Sequence, residues 1–375
     1  MPGAAAAATA ATRGASRVRV ATYNVLSQTL CRPNHFTACA PEALDPEARL
    51  ERVKEKLEAE VAQGSVLCLQ EVSMSWAGEL HTFFDKRGYR FVETLYSGPF
   101  SDYMGVGLAV PRARFELEEV RIKRVADVKR WPAELNEAVK AEGLGRGGGL
   151  GAMLRRLGKG ALRLPLAAWG SMVGKGGEGG KGPPAWMAGE KKQKPRSKHQ
   201  HWLDSRRRQN RAIGMRLRDT SSNERLCVAT YHMPCMFWDL SAMVIHSALV
   251  AQWAQKLAGE TPLCLAGDFN IKPGDPAYEL LANGDLPADA EGFPPAEEWE
   301  PWRPKLRKSF ASAYVQALGA EPDFTNHAQV RLSHRYGGRS GVLGFYAGAA
   351  AGARLRNPDT QTINLFLYRY LKISH

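Results

Sequence analysis

Polar side chains that can hold a metal ion or a phosphate follow four short apolar runs of this chain. A run of four or five apolar residues between turn residues is typical of a buried strand, so the polar group at its end is expected at the rim of a sheet. The runs end at Asn24, at Glu71, at His232, and at Asp268 with Asn270. Carboxylates and amides gathered at one sheet edge make a site for a hard cation beside a phosphate. The pattern predicts metal-assisted cleavage of a phosphoester.

Each of these residue types has a role in such a reaction. Glu71 is predicted to bind Mg²⁺, or Mn²⁺, because magnesium prefers one or two carboxylates together with water and substrate phosphate. Asn24 is the second predicted metal-site residue, through the metal shell or a phosphate oxygen. Asp268 is placed to orient or deprotonate water, and Asn270, two residues on along an extended chain, shares its face and can hold the phosphate. His232 can donate to a phosphate oxygen or to the leaving group.

The elements that must position these residues are strands mixed with helices. Leu50, Val53, Leu57 and Val61 recur at spacings of three and four, which predicts a helix with one apolar face. Further helices are predicted at 76–88 and 241–257. Strands are predicted at 18–23, 66–71, 89–95, 105–110, 115–125, 211–218, 226–231 and 263–268. Without strict alternation of strand and helix, this order favours an α/β sandwich over a doubly wound parallel sheet.

The composition is that of an ordinary soluble globular protein, with 375 residues, 44% hydrophobic and 24% charged. No apolar run approaches the roughly 18 residues that a membrane span needs, so no membrane partner is predicted. The six cysteines form no C-x-x-C pair, which argues against a zinc site or a disulfide framework. A cytoplasmic location is expected, with nuclear and organellar locations left open, and the sequence predicts no particular protein partner.

The net charge of +13 belongs to one segment. From Lys129 to Arg211 there are 19 Lys and Arg against 6 Asp and Glu, and the rest of the chain holds 32 of each sign. Because this segment is also rich in glycine, a disordered basic insertion is predicted at about 132–205. It is either a solvated surface loop or an arm that captures RNA, in which Trp131, Trp169, Trp186 and Trp202 are candidates for stacking. Residues 1–17 are predicted to be a disordered N-terminus.

Five short motifs together resemble those of a known hydrolase superfamily. They are TYNVL at 22–26, LQEV at 69–72, TYH at 230–232, GDFN at 267–270 and DFTN at 323–326. The set is similar to the motif series of the endonuclease/exonuclease/phosphatase superfamily. The first and last motifs resemble its deadenylase branch, the group of nocturnin, the angel proteins and the nuclease of the carbon catabolite repression complex.

This resemblance implies a four-layer α/β sandwich, with two packed mixed sheets flanked by helices over residues 18–330. It also implies Mg²⁺-dependent hydrolysis of RNA 3′ ends, with poly(A) as the usual substrate. Glu71 would be the metal ligand, Asp268 would serve the nucleophile, and the phosphate and metal shell would be served by Asn24, His232 and Asn270. Further substrate contacts are assigned to Tyr103, Phe324 and Asn326, of which the two rings are candidates for base stacking.

The sequence departs from the superfamily pattern after Asn326. Members continue with a strand that holds an Asp-Tyr pair and finish with Ser-Asp-His, and neither occurs here. Residues 331–375 are therefore predicted to be an atypical C-terminal tail that lacks a core strand. None of His327, His334 and His375 matches the missing histidine. Loss of general acid–base assistance typically lowers the rate of a reaction by about 10²–10⁴-fold.

This departure, together with the basic insertion, leads to one alternative function, a catalytically impaired RNA-binding member of the superfamily. It also leads to one alternative account of the tail, an altered end from a mis-spliced transcript or gene model, with another C-terminus in the native enzyme. Independently of the tail, hydrolysis of a small phosphorylated metabolite, such as a dinucleotide phosphate or an inositol phosphate, is an alternative function within the superfamily.

Overall fold

Two β-sheets pack face to face in the computed structural model, which describes residues 18–36, 39–137, 139, 198–322, 325, 350–353 and 364–368. The strands of the first sheet are β1 (Val18–Asn24), β2 (Val66–Val72), β3 (Tyr89–Leu95), β4 (Gly105–Pro111) and β10 (Ala350–Ala353). Their order across the sheet is β10-β1-β2-β4-β3. Only β1 and β2 run parallel to each other, so the first sheet is mixed.

The second sheet is mixed as well. Its strands are β5 (Phe115–Arg124), β6 (Arg211–Asp219), β7 (Arg225–His232), β8 (Leu263–Asp268), β9 (Ala311–Ser312) and β11 (Asn364–Tyr368). They lie in the order β5-β6-β7-β8-β11-β9. The pairs β5-β6 and β6-β7 are antiparallel, and the pairs β7-β8, β8-β11 and β11-β9 are parallel.

Helices cover the outer faces of the two sheets. In chain order they are α1 (Pro41–Leu44), α2 (Pro46–Val61), α3 (Met74–Lys86), α4 (Lys198–Arg207), α5 (Leu240–Ala258), α6 (Pro276–Asn283) and α7 (Ala313–Leu318). The Asp45 carboxylate caps α2 by accepting hydrogen bonds from the backbone N–H groups of Glu47 and Ala48. Among these helices, none is both long and apolar enough to cross a membrane.

The alternation of side chains along β2 shows how the layers are built. Val66 and Cys68 belong to the large core, together with residues of β6, β7 and β8 and of the helices α5 and α6. Leu67 and Leu69 belong to a second core, in which Leu50, Val53 and Leu57 of α2 and Trp76, Leu80 and Phe84 of α3 pack on the outer face of the first sheet. Because successive strand residues face opposite ways, one strand serves both cores. The predicted α/β sandwich of two mixed sheets flanked by helices is confirmed.

The expectation that the tail lacks a core strand is wrong. Residues 350–353 pair with β1, and residues 364–368 form β11, an interior strand between β8 and β9. The apolar run at 365–367 is the local signal for that strand. The rest of the predicted tail, with His327, His334 and His375, lies outside the described residues.

The two ends of the predicted insertion differ from expectation as well. Residues 133–137 are helical, and α4 begins at Lys198, well before position 205. Trp131 and Trp202 are buried in the large core, which excludes them as exposed stacking groups. The burial of these two rings explains why residues 133–137 and α4 are folded, because an apolar ring of this size stabilises the fold by leaving water. The middle of the insertion, with Trp169 and Trp186, and the first 17 residues lie outside the described residues.

Candidate active site

Glu71 reaches the site through an irregularity in β2. The register between β2 and β4 shifts between Gln70 and Val72, and Glu71 has a φ of +59°. A β-bulge of this kind re-aims a side chain, and a left-handed backbone is costly for a residue with a side chain. Gln70 before it points into the space between the sheets and donates to the Thr230 hydroxyl at 3.1 Å. The bulge turns the Glu71 carboxylate to the sheet end, where it accepts from the Ser27 N–H at 3.1 Å.

Asn24, the last residue of β1, joins two carboxylates from different sheets. Its Nδ2 donates to Glu71 Oε1 at 2.6 Å and to Asp268 Oδ2 at 2.9 Å. Its Oδ1 accepts from the Leu26 N–H at 2.8 Å, which fixes the orientation of the amide. These contacts fit the predicted role of Asn24 at the metal site, a hydrogen bond that orders the metal shell, because its amide donor faces both carboxylates.

His232 and Asp268 come to the site side by side. They are register partners at the ends of the parallel strands β7 and β8, and the N–H of Met233 donates to the Asp268 carbonyl at 2.8 Å. Gly267 permits this close approach, since a Cβ there would lie 1.9 Å from the carbonyl oxygen of Tyr231. The short motif GDFN therefore needs its glycine for the pairing of β8 with β7.

The residue pattern fits a divalent cation. Ligand atoms of Glu71, His232 and Asp268 lie within 4.8 Å of one another, and all three residues are buried. Two buried carboxylates that face the same space repel each other, and a cation between them offsets that repulsion. Carboxylate oxygens are good ligands for both Mg²⁺ and Mn²⁺, and an additional imidazole favours Mn²⁺, the softer of the two ions.

Two further residues hold His232, and sequence reasoning missed both. The Tyr96 hydroxyl lies 3.2 Å from His232 Nδ1, and Asn210 Nδ2 donates to the His232 carbonyl at 2.9 Å. Burial, followed by the negative charges of Glu71 and Asp268, raises the pKa of Tyr96 well above its usual range. Tyr96 therefore stays a neutral phenol that can donate to Nδ1. The only sequence signal was position, since Tyr96 follows β3 and Asn210 precedes β6.

Asn270 and Tyr103 are the remaining predicted site residues that the structure describes. β8 ends at Asp268, and Asn270 has a φ of +52°, so the chain from Asp268 to Asn270 is not extended as predicted. Asn270 nevertheless lies beside Asp268. The Asn270 N–H donates to Asp268 Oδ1 at 3.2 Å, and its Nδ2 donates to the Met233 carbonyl at 3.1 Å. Tyr103 is exposed in the loop before β4. Phe324 and Asn326 lie outside the described residues.

A sequence profile now identifies the class of protein. The profile of the Endonuclease/Exonuclease/phosphatase family matches residues 21–334, most of the chain. The chain belongs to this family, whose members are phosphoester hydrolases. Nocturnin of Drosophila melanogaster is 38% identical over 77 residues, which are 20% of this chain and 12% of nocturnin. The chain thus aligns with a small part of that relative, and the resemblance to the deadenylase branch is confirmed as a sequence similarity.

Three solved structures are among those similar to this chain. ANGEL2, a 2′,3′-cyclic phosphatase in complex with adenosine-2′,3′-vanadate, is 16% identical, with 72% of this chain and 59% of that chain covered and a TM-score of 0.47. The human Nocturnin catalytic domain with bound sulfate is 17% identical, with 83% and 78% covered and a TM-score of 0.46. D. rerio TDP2 complexed with single-strand DNA product is 12% identical, with 92% and 87% covered and a TM-score of 0.45.

Proposed function

We propose that this protein is a Mg²⁺-dependent phosphodiesterase that hydrolyses RNA from the 3′ end, with poly(A) as its substrate. The cluster in which Asn24 joins Glu71 to Asp268, with His232 beside them, carries the proposal. Two carboxylates can hold a hard cation, and an imidazole can donate to a phosphate oxygen, and both serve metal-assisted phosphoester hydrolysis. The RNA substrate is supported by the deadenylase-like motifs and by the match to nocturnin.

Each side chain of the cluster has its own role in the proposed reaction. Glu71 and Asp268 would hold Mg²⁺, which supplies charge neutralisation at the phosphate and a more acidic water when bound. Asp268 orients the attacking water and takes its proton. With the Tyr96 hydroxyl, 3.2 Å away, as the donor to its Nδ1, His232 would present Nε2 as an N–H donor to a phosphate oxygen. Asn24 keeps the two carboxylates at a fixed separation before substrate binds.

The test is the shortening of 3′-labelled poly(A) RNA by purified protein with Mg²⁺, with EDTA, and with Mn²⁺. Glu71→Gln is expected to lower kcat/KM by about 10³-fold, since it removes a preorganised charge at the reacting phosphate. Glu55→Gln, an exposed change on α2, is the matched control and should leave the rate unchanged. A dinucleotide phosphate and an inositol phosphate as substrates test the metabolite alternative. Turnover that survives Glu71→Gln would contradict the metal-site assignment.

A catalytically impaired RNA-binding protein is the second candidate function. One sequence observation favours it, namely the lack of the Asp-Tyr pair and of Ser-Asp-His after Asn326. In that case RNA binds in a saturable, strongly salt-dependent manner while no 3′ shortening occurs with either metal. A filter-binding titration at several salt concentrations, run beside the nuclease assay, separates the two functions.

A further inference from the structure

Arg49 of α2 holds the turn in which β1 ends. This turn, residues 24–27, is called the β1 turn below. The Arg49 Nη2 donates to the Val25 carbonyl at 2.9 Å and to the Leu26 carbonyl at 2.7 Å. Both oxygens lie just past Asn24, the last residue of β1. One side chain therefore ties α2 to the end of the strand that delivers Asn24 to the catalytic cluster.

The N–H groups of the β1 turn orient two catalytic side chains. The Leu26 N–H donates to Asn24 Oδ1 at 2.8 Å, and the Ser27 N–H donates to Glu71 Oε2 at 3.1 Å. Leu26 has a φ of +55°, a left-handed backbone that is costly for a residue with a side chain. Such a backbone persists only where surrounding contacts fix it, and the two hydrogen bonds from Arg49 are contacts of this kind.

Arg49 and the catalytic side chains bind opposite sides of the same two peptide groups. The Val25 carbonyl and the Leu26 N–H belong to one peptide group, and the Leu26 carbonyl and the Ser27 N–H belong to the next. Both groups are trans. A trans peptide group is planar, so its C=O and its N–H point in opposite directions. A donor that holds the two oxygens therefore sets the directions in which the N–H groups point, toward Asn24 and toward Glu71.

The guanidinium of Arg49 is held in place at a cost in solvation. Its Cζ lies 5.1 Å from the centroid of the Trp76 ring of α3, and Trp76 is buried. In the part of the chain that the structure describes, Arg49 Nη1 is buried without a hydrogen-bond partner. Burial lowers the pKa of Arg49, and the nearby charge of Glu71 is among the groups that oppose this shift. A half-buried cation on two neutral carbonyls adds little to stability, so its placement indicates a role in the site.

We infer that Arg49 is a positioning residue for the metal site, acting through the two peptide groups of the β1 turn. It fixes the Asn24 amide and the Glu71 carboxylate in the arrangement that a divalent cation needs before the cation binds. This inference rests on the proposed function, in which Glu71 and Asp268 hold the metal ion. An arginine suits the role because its rigid, planar head donates in fixed directions, whereas the ammonium group of a lysine is a mobile point charge.

Binding of Mn²⁺ to the full chain without RNA tests this role apart from turnover. In a calorimetric titration, Arg49→Met should bind Mn²⁺ about 10- to 100-fold more weakly than the parent, the usual effect of losing the support behind a metal ligand. Arg49→Lys keeps the charge and a donor, so it should recover part of the loss. Arg52→Met is the matched control on the same helix and should bind like the parent, because Arg52 is exposed and its Nη1 donates to the Ala43 carbonyl at 3.3 Å. In the poly(A) assay at saturating metal, Arg49→Met should lower kcat and leave KM within threefold.

Coupling to Asn24 separates a positioning role from a purely structural one. The variants are compared at a temperature at which denaturant unfolding shows them all to be folded, and Arg49→Lys replaces Arg49→Met if the latter does not fold. In an Asn24→Ala background the Arg49 change should weaken Mn²⁺ binding less than it does in the parent, because one of the two groups that Arg49 positions is already gone. The Asn24 side-chain amide signals in a ¹H–¹⁵N spectrum should shift in Arg49→Met and stay in place in Arg52→Met. This spectrum decides alone if Asn24→Ala binds no Mn²⁺.

Failure of the inference and failure of the proposed function give different results. Unchanged Mn²⁺ affinity of the Arg49 variant, equal losses in the two backgrounds, or an unmoved Asn24 amide overturns the inference. If the parent cleaves RNA and the Arg49 variant binds Mn²⁺ and cleaves normally, the positioning role fails and the proposed function stands. If the Arg49 variant loses Mn²⁺ affinity while the parent cleaves no RNA, the positioning role stands and the proposed function fails. Absence of Mn²⁺ binding by the parent overturns both.

Discussion

The two sheets supply the site in different ways. The first sheet delivers Glu71 through a bulge and a left-handed backbone, whereas the second delivers His232 and Asp268 as register partners of regular parallel strands. Strained backbone persists only where surrounding contacts fix it, and here those contacts are the hydrogen bonds of the Glu71 carboxylate to Asn24 and Ser27. One half of the site depends on local hydrogen bonds, and the other half on strand pairing.

Contacts between the sheets keep these halves aligned. Beneath the cluster, the Thr22 hydroxyl donates to Gln70 Oε1 at 3.2 Å, and Gln70 Nε2 donates to Thr230. These groups are buried, so each needs its partner and the chain of bonds fixes how the sheets face each other. At the level of the cluster, Asn24 and Tyr96 cross from the first sheet to the second.

Asn24→Ala should cause a large loss of activity, because it removes the donor that the two carboxylates share. The expected fall in kcat/KM is about 10²–10³-fold, typical of a lost preorganised donor. Steady-state cleavage of poly(A) RNA at saturating Mg²⁺ measures it. Asn283→Ala, an exposed change at the end of α6, is the control. Retention of activity within threefold would show that Glu71 is held by its bulge without the amide.

Gly267→Ala tests the second sheet alone. A Cβ at this position would lie 1.9 Å from the Tyr231 carbonyl oxygen, so β8 must shift away from β7. We expect the free energy of unfolding to fall by about 1–3 kcal/mol, the typical cost of the backbone shifts that overpacking forces. Gly78→Ala in α3 adds the same methyl group where nothing lies within 4 Å, and it should stabilise by up to about 1 kcal/mol. Denaturant unfolding compares them, and equal midpoints would refute the need for a glycine.

Sequence reasoning found most of the second half of the site and less of the first. The apolar runs before His232 and Asp268 are complete strands, so their ends and pairing follow from pattern alone. The run before Glu71 also predicts its strand, but a one-residue bulge leaves no periodic signal. Gln70, Tyr96 and Asn210 were missed because their roles depend on contacts across 22 to 160 positions of the chain. Burial of Trp202 was missed because charge and glycine dominate the segment around it.

The pH dependence of stability tests the support behind β7. His246 Nε2 donates to the Ser205 carbonyl, so its Nδ1 accepts from the Tyr231 hydroxyl at 2.9 Å. Burial lowers the pKa of His246 from 6.5 to about 4. The unfolded chain therefore binds this proton at a higher pH than the folded one, and the free energy of unfolding should fall by about 2 kcal/mol between pH 7 and pH 5.

Chemical unfolding at several pH values checks this expectation. His246→Gln cannot titrate, so it should lose this part of the pH dependence even though its stability at pH 7 is lower. His81→Gln, on the exposed side of α3, should keep the dependence of the parent. Identical slopes for the parent and His246→Gln would assign the acid sensitivity to other groups.

Tyr96→Phe tests the contact that joins the first sheet to His232. Loss of the hydroxyl frees His232 Nδ1, so the ring no longer has one fixed tautomer, and kcat should fall about 10-fold at unchanged KM. The ¹⁵N chemical shifts of the imidazole report this directly, with an unprotonated Nδ1 in the parent and mixed tautomers in the variant. Tyr89→Phe makes the same change at a tyrosine of β3 whose hydroxyl donates to the Val61 carbonyl at 3.3 Å, and it should alter neither kcat nor the tautomer. A single tautomer in Tyr96→Phe would show that the second sheet orients His232 without help from the first.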